Sequence, residues 1–190
     1  MSPAVPIGNT LLQAHKSCLL LSRPFMNYVF NRVSEKRRKE VGPDRSCAEW
    51  LMRNGAYVRW MGQAEFVGHY NLLPLDKKIE GSFHIEEVKA DHNASITYFG
   101  FAHFVGCKHL NKLTLDGVKT IDDRAMHRLN YLKDTLKYLY IGDCKKVTDA
   151  SLPYLTQLTN LKQLHLKNLS IKDYTQLEEK LPSDCKITIE

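Results

Sequence analysis

The chain has 190 residues and a net charge of +6, room for one core, and its longest purely aliphatic runs, such as Leu19 to Leu21, fall far short of the roughly 20 apolar residues that a bilayer helix takes. Its five cysteines are odd in number, widely scattered and free of any C-x-x-C pair, so neither a disulfide framework nor a zinc cluster is indicated and a reducing compartment is expected. The basic excess sits in residues 1 to 80, with twelve Lys/Arg against seven Asp/Glu, while the remainder holds fifteen against fourteen; this does not describe a nucleic-acid-binding face running along the whole chain.

In chain order, no acid occurs before Glu35, and Lys16, Arg23 and Arg32 are spaced among Ser, Leu and Ala. Residues 1–24 are therefore expected to be a mitochondrial transit peptide, cleaved between Cys18 and Phe25; a disordered tail or a short secretory signal over Leu11 to Leu21 are the alternatives, the latter interrupted by Gln13, His15, Lys16 and Ser17. After Pro24, the spacing of Phe25, Val29 and Val33 beside Met26 and Phe30 predicts an amphipathic helix. It continues into the charge run Glu35 to Glu40, whose Lys36, Arg37, Arg38 and Lys39 form either a solvated helix end or a contact to an anionic membrane surface. Pro43 opens a second helix with Asp44 in its first turn, where a carboxylate suits the helix dipole. Ala48, Trp50, Leu51 and Met52 supply its apolar face, and Asn54-Gly55 stops it. Ala56 to Trp60 alternates as a strand would, and Gly62, Gly68, Pro74 and Asp76-Lys77-Lys78 mark an irregular connection. Residues 25–80 are thus expected to form a helical N-terminal cap.

From residue 81 to 190 the chain repeats. Leu110, Leu136 and Leu161 recur at 26 and then 25 positions, followed by Leu113/Leu115, Leu139/Ile141 and Leu164/Leu166, the L-x-x-L-x-L pattern of a leucine-rich repeat. A degenerate earlier copy reads Ile85, Val88, Ala90. The second half of each unit recurs as Ile96, Ile121, Val147 and Ile171, with Met126/Leu129 and Leu152/Leu155 spaced for a helical turn. The expected fold class is α/β, a short leucine-rich-repeat solenoid of about four units behind the N-terminal helical cap, because one unit alone cannot bury its apolar face.

Chemistry is sparse. No P-loop, dinucleotide-binding, H-E-x-x-H or G-x-S-x-G motif occurs, so no catalytic residue is assigned. Cys107 and His109 resemble a metal pair but fall short of four ligands. Cys144 occupies the inward-turning position of its unit and is expected to be a buried thiol. The pairs Asp122-Asp123 and Thr148-Asp149 precede helical segments with the spacing of N-caps. What the units offer is a concave surface of stacked rows: Glu87, Lys112, Tyr138, Gln163; then Lys89, Thr114, Tyr140, His165; then Asp91, Asp116, Gly142, Lys167. Tyr138, Tyr140, His165 and Lys112 are the candidate protein-binding residues, aromatics flanked by charge being the composition of an interaction hot spot; strand propensity alone is the other account of the two tyrosines.

The segment Val41-Gly-Pro-Asp-Arg45, followed by Ala48-Glu-Trp-Leu51, Gly55-Ala-Tyr-Val-Arg59, Gly62, Tyr70-Asn71, Leu73-Pro74 and Leu75-Asp76, resembles the mitochondrial ATP synthase subunit s family, also called coupling factor B, and Phe99-Gly100-Phe101 is similar to it too. The resemblance covers nearly all of the chain beyond residue 24. It implies a non-enzymatic accessory subunit of the proton-transporting ATP synthase, peripheral to the inner membrane on the matrix side, supporting proton conduction and energy coupling by protein docking. It also implies thiols and a divalent ion, neither of which the resemblance puts on a residue here. A close relative of the family is an assembly factor for the distal membrane arm of respiratory complex I, and the repeats do not separate the two partners. A leucine-rich-repeat substrate adaptor of a ubiquitin ligase is the third class; it needs an F-box upstream, which the basic, acid-free start does not resemble.

Overall fold

In the computed structural model, residues 25–73 and 83–190 are described. The expected transit peptide, and the Pro74 to Lys78 part of the irregular connection, lie outside them. Among the described residues, 25–31 are helical (α1), α2 is Glu35–Val41 and α3 is Pro43–Arg53. Strands β1 (Tyr57–Trp60), β2 (Ile85–Ala90), β3 (Lys112–Asp116), β4 (Tyr138–Gly142), β5 (Gln163–Lys167) and β6 (Lys186–Ile189) form a six-stranded sheet in sequence order. β1 runs antiparallel to β2, and every later neighbour is parallel. Between strands the chain returns through short helical pieces: a 3-10 turn at Gly100–Phe104, then α4 (Asp123–Arg128), α5 (Leu152–Leu155) and α6 (Thr175–Lys180). The architecture is mixed α/β.

The strand register follows the sequence period. Val88, Leu113, Leu139, Leu164 and Ile187 pair in one row across β2 to β6, and Ala90, Leu115, Ile141, Leu166 and Ile189 in the next. Because alternate strand residues point to one side, these two rows build one apolar face. Leu113, Leu115, Leu139 and Ile141 are fully buried there, with Met126, Leu129 and Leu155 of the returning segments in the same core. Polar side chains tie one return to the next. Asp122 caps α4 by accepting from the Arg124 N–H at 3.1 Å. Asp123 accepts from the Thr148 N–H and hydroxyl, both at 2.8 Å, and Asp149 accepts from the Lys172 N–H at 2.8 Å. Both predicted capping positions, Asp122 and Thr148, act as caps.

At the β1 end, α3 packs its buried Ala48, Trp50, Leu51 and Met52 against β1 and the Gly100–Phe104 turn. Trp50 lies edge-on to Phe101 and Phe104, and a methyl at Gly100 would come within 2.3 Å of the Trp50 ring, so only glycine fits that step. Asp44 sits in the first turn as expected, but its carboxylate is buried and accepts from the Ile85 N–H at 2.9 Å. It thereby satisfies the donor that opens β2.

Helix α1 differs from its prediction. It ends at residue 31, and Ser34 then caps α2 as a separate helix by accepting from the Arg37 N–H. Phe25, Met26, Val29 and Phe30, the expected inward stripe, are exposed, whereas Asn31 is fully buried. The reason is a hydrogen-bond knot: the Asn31 side-chain Oδ1 accepts from the Trp50 indole N–H at 3.0 Å and the Thr97 N–H at 2.9 Å, and its Nδ2 donates to the Ser95 carbonyl at 3.2 Å. Each of these buried donors left unpaired would cost about 1 to 3 kcal/mol, so the knot holds the Asn31 side of the helix inward.

Candidate docking face

The side of the sheet opposite the leucines carries the rows expected from the repeat. Glu87, Lys112, Tyr138, Gln163 and Lys186 stand in one register, and Lys89, Thr114, Tyr140, His165 and Thr188 in the next. Asp116, Gly142 and Lys167 follow. Of the four predicted binding residues, Lys112 is exposed and Tyr138, Tyr140 and His165 are half-buried. The Tyr140 ring meets His165 edge to face at 4.9 Å. It also lies over Gly142, where a Cβ would come within 2.4 Å of the Tyr140 hydroxyl; the glycine lets the ring recline on the sheet. Burial, and then the nearby Asp116, push the Tyr140 phenol above its ordinary pKa, so it remains a neutral donor at physiological pH. Glu190 reaches both His165 Nε2 at 3.2 Å and Lys167 Nζ at 3.3 Å, and its carboxylate holds the Lys167 ammonium above the usual range.

Toward the starts of the strands this face opens into a cleft of about 480 Å³ lined by Lys89, Lys112, Lys137, Lys162, Tyr138 and Gln163, with Glu87 and Thr114 completing it. Lys137 and Lys162 were not among the expected site residues. Each stands just ahead of its strand, and the chain is held there because the Lys137 N–H donates to the Asn111 carbonyl and the Lys162 N–H to the Lys137 carbonyl, each at 2.8 Å. The signal in the sequence is the recurrence of Lys112, Lys137 and Lys162 every 25 residues. Glu87 is gripped by Arg59, Nη2 to Oε2 at 2.9 Å, and Lys162 pairs with Asp184.

The basic stretch on α2 divides. Arg37 is bound to the buried Glu49, Nη2 to Oε1 at 2.6 Å and Nε to Oε1 at 2.9 Å, and that hydrogen bond raises its guanidinium pKa. Arg38 donates to the Ala102 carbonyl at 2.6 Å and pairs with Glu35 at 3.0 Å. These two arginines fasten α2 to α3 and to the Gly100–Phe104 turn, while Lys36 and Lys39 face solvent.

Among the described residues the thiols of Cys47, Cys107 and Cys144 are buried and that of Cys185 is half-buried. Cys144 is inaccessible at the inward turn, its Sγ 3.8 Å from the Leu115 carbonyl, and burial pushes it up to about 11. Cys47 and Cys107, distant in sequence and unpaired in any motif, lie side by side within hydrogen-bonding reach, and burial raises the Cys47 thiol well above its ordinary value. A thiol so shifted carries almost no thiolate at neutral pH and is a poor nucleophile. Cys107 turns toward the His103 carbonyl at 3.7 Å, while the His109 ring lies tilted against His84 at 4.2 Å, so the two residues face different partners. Among the described residues no group of three or more His, Cys, Asp or Glu side chains is placed to hold a metal ion. No described helix is long and apolar enough to cross a membrane.

No protein-family profile matches the chain. It is 38% identical over 162 residues to "ATP synthase subunit s, mitochondrial" of Rattus norvegicus, a match that covers 82% of this chain and 78% of the relative. The protein of that name from Mus musculus is 36% identical over the same coverage, and the one from Homo sapiens is 37% identical over 151 residues, 76% of this chain and 72% of the relative. With likeness of that depth along most of its length, and with the outward rows and inward leucines in one continuous register, the chain belongs to the mitochondrial ATP synthase subunit s family.

Proposed function

We propose that the chain is a non-enzymatic accessory subunit of the mitochondrial ATP synthase, which supports proton conduction and energy coupling by docking on the complex. The observation that carries this reading is the likeness over most of the chain to relatives that bear the subunit's name. In this reading residues 81–190 are a short leucine-rich-repeat solenoid of about four units, residues 25–80 are its helical cap, and residues 1–24 direct import. The in-register strands and the recurring 25- to 26-residue spacing support the first of these. The protein then works from the matrix side, peripheral to the inner membrane, with Lys36 and Lys39 as the solvent-facing charges of α2 available to an anionic leaflet or to the complex.

Docking is assigned to the open face around Tyr138, Tyr140, His165 and Lys112. Half-buried tyrosines in a polar surround are anchors of the kind that each contribute at least about 2 kcal/mol to an interface. The test is affinity capture of the tagged full chain from mitochondria, with cross-linking mass spectrometry to identify its neighbours. Tyr138→Ala/Tyr140→Ala should fold normally and lose the ATP synthase. Full recovery of the synthase by the folded double variant moves the dock off this face, and a neighbourhood made of complex I subunits would reject the synthase assignment.

A further inference from the structure

The cleft at the strand starts has a charge arrangement that the sheet alone does not explain. Lys112 stands on β3, and Lys137 and Lys162 immediately precede β4 and β5; with neighbouring strands about 4.8 Å apart, all three line one cleft. Like charges gathered there repel one another. Among the described residues no carboxylate pairs with Lys112 or Lys137; Lys162 has Asp184 at the rim, and the acid inside the cleft, Glu87, shares Arg59 with Glu86, so lysines outnumber acids along the cleft wall. Lys89 lies over the Phe66 ring at 4.1 Å, which holds its ammonium at the cleft wall. At the opposite end of the same face the balance of charge reverses: Asp116 and Asp143 are exposed beyond the tyrosines, and Lys167 in that row is paired with Glu190.

Resting on the docking assignment made above, we propose that the partner presents an acidic stretch of polypeptide to this cleft, its carboxylates against Lys112, Lys137 and Lys162 and an apolar side chain against Tyr138. Three features favour a peptide carboxylate. The cleft lining has no arginine to grip a phosphate in two places. The backbone N–H groups of β3, β4 and β5 are engaged in the parallel ladder, so no cradle of free donors exists there for a phosphate. A lipid surface laid over this face would meet the lysines together with Asp116 and Asp143, whereas a peptide can place acids on one end and leave the other. The reversal of sign along the face then fixes the direction in which the stretch lies.

The experiment uses the full chain and three kinds of surface: inner-membrane vesicles carrying their native proteins, protein-free vesicles of phosphatidylcholine with cardiolipin, and inorganic phosphate. Lys112→Glu/Lys137→Glu, checked for normal circular dichroism, should bind the protein-bearing vesicles at least about tenfold more weakly than wild type, with a shallower dependence on salt. Asp116→Lys/Asp143→Lys should not weaken it. In parallel, a zero-length carbodiimide, which joins amines to carboxylates, should link Lys112 or Lys137 of the wild type to Asp or Glu of a partner subunit. Wild-type binding by the lysine double variant, while Tyr138→Ala/Tyr140→Ala loses binding, overturns the acidic partner but leaves the face as the dock. Unchanged binding in both variants removes the dock from this face altogether. Loss of cardiolipin-vesicle binding in step with the lysine change makes lipid the occupant, and competition by millimolar phosphate makes it a phosphate site; either result overturns the proposal.

Discussion

His103 is the group whose titration should be visible in the stability of the whole molecule. It is 5% exposed, stacked on Trp50 with ring centroids 5.0 Å apart and planes 4° from parallel, and neither ring nitrogen meets hydrogen-bonding geometry with another described group. Burial, then the Arg38 charge, pull its pKa from 6.5 down to about 4; the Arg32 carbonyl opposes this and the Arg53 charge adds to it. The folded imidazole is therefore neutral at a pH where the unfolded one is charged. Between pH 6.5 and pH 4 the unfolded state binds the extra proton, so stability is fully present above about 6.5 and is lost as the pH falls, levelling off below about 4. At about 1.4 kcal/mol per pKa unit this single group contributes a loss of about 3 kcal/mol. His103→Phe keeps a flat ring on Trp50 and removes the titration. It adds volume, which shifts stability by about 1 to 3 kcal/mol at every pH. The measurement is urea unfolding of both proteins at steps from pH 7.5 to pH 4, with the difference between them plotted against pH. Carboxylates and the other histidines titrate alike in the two proteins and cancel. The difference should move by about 3 kcal/mol in favour of the variant; a flat difference would refute the burial argument, whatever its offset.

Three further outcomes follow from packing. Leu139, fully buried between Leu113 and Leu164 in the sheet, should lose about 2 to 5 kcal/mol on replacement by alanine, read as a lower denaturant midpoint with binding disturbed only in proportion to unfolding. Gly100→Ala must displace the Trp50 ring, which a Cβ would approach to 2.3 Å; a destabilisation of about 1 to 3 kcal/mol and altered near-UV circular dichroism are expected, and an unchanged spectrum would count against the packing described. Asp44→Ala leaves the Ile85 N–H without its acceptor and should cost about 1 to 3 kcal/mol, measured by equilibrium unfolding, with faster hydrogen exchange at Ile85.

Local periodicity carried most of the fold. The leucine spacing predicts which residues meet across β3, β4 and β5, because one residue of slip would turn every leucine to solvent, and Asp122 and Thr148 mark helix starts because their side chains need only neighbours two residues away. Where the determining contact is distant, the pattern misleads. Asn31 looks like an unremarkable polar residue on α1 until Trp50 and Thr97 are placed on it, and those partners lie 19 and 66 positions away. Glu49, a charged residue on α3, is buried where Arg37 from another helix closes over it. The same distance hides Cys47 beside Cys107. The candidate face was legible in its rows and only partly in its charge: Lys112, Lys137 and Lys162 recur every 25 residues, but Lys137 and Lys162 precede their strands, outside the alternating pattern that identifies outward positions, and it is the folded sheet that brings them to the same cleft as Lys112.

That geometry also constrains how any partner could be held. In β3, β4 and β5 the backbone donors and acceptors are satisfied by flanking strands, so a ligand on the open face cannot gain affinity by adding a strand, as it could at a sheet edge. Recognition there has to come from side chains standing off the sheet. The supply is limited to one outward residue in two along each strand, which places Tyr138, Tyr140 and His165 in a compact centre with lysines on one side and carboxylates on the other. Those outward side chains contribute little to the leucine core beneath them, so substitutions at the face and in the core should separate cleanly: the former change binding and its salt dependence, the latter change stability. A face whose replacement destabilised the fold as much as Leu139→Ala would mean that the tyrosines serve the sheet and not a partner.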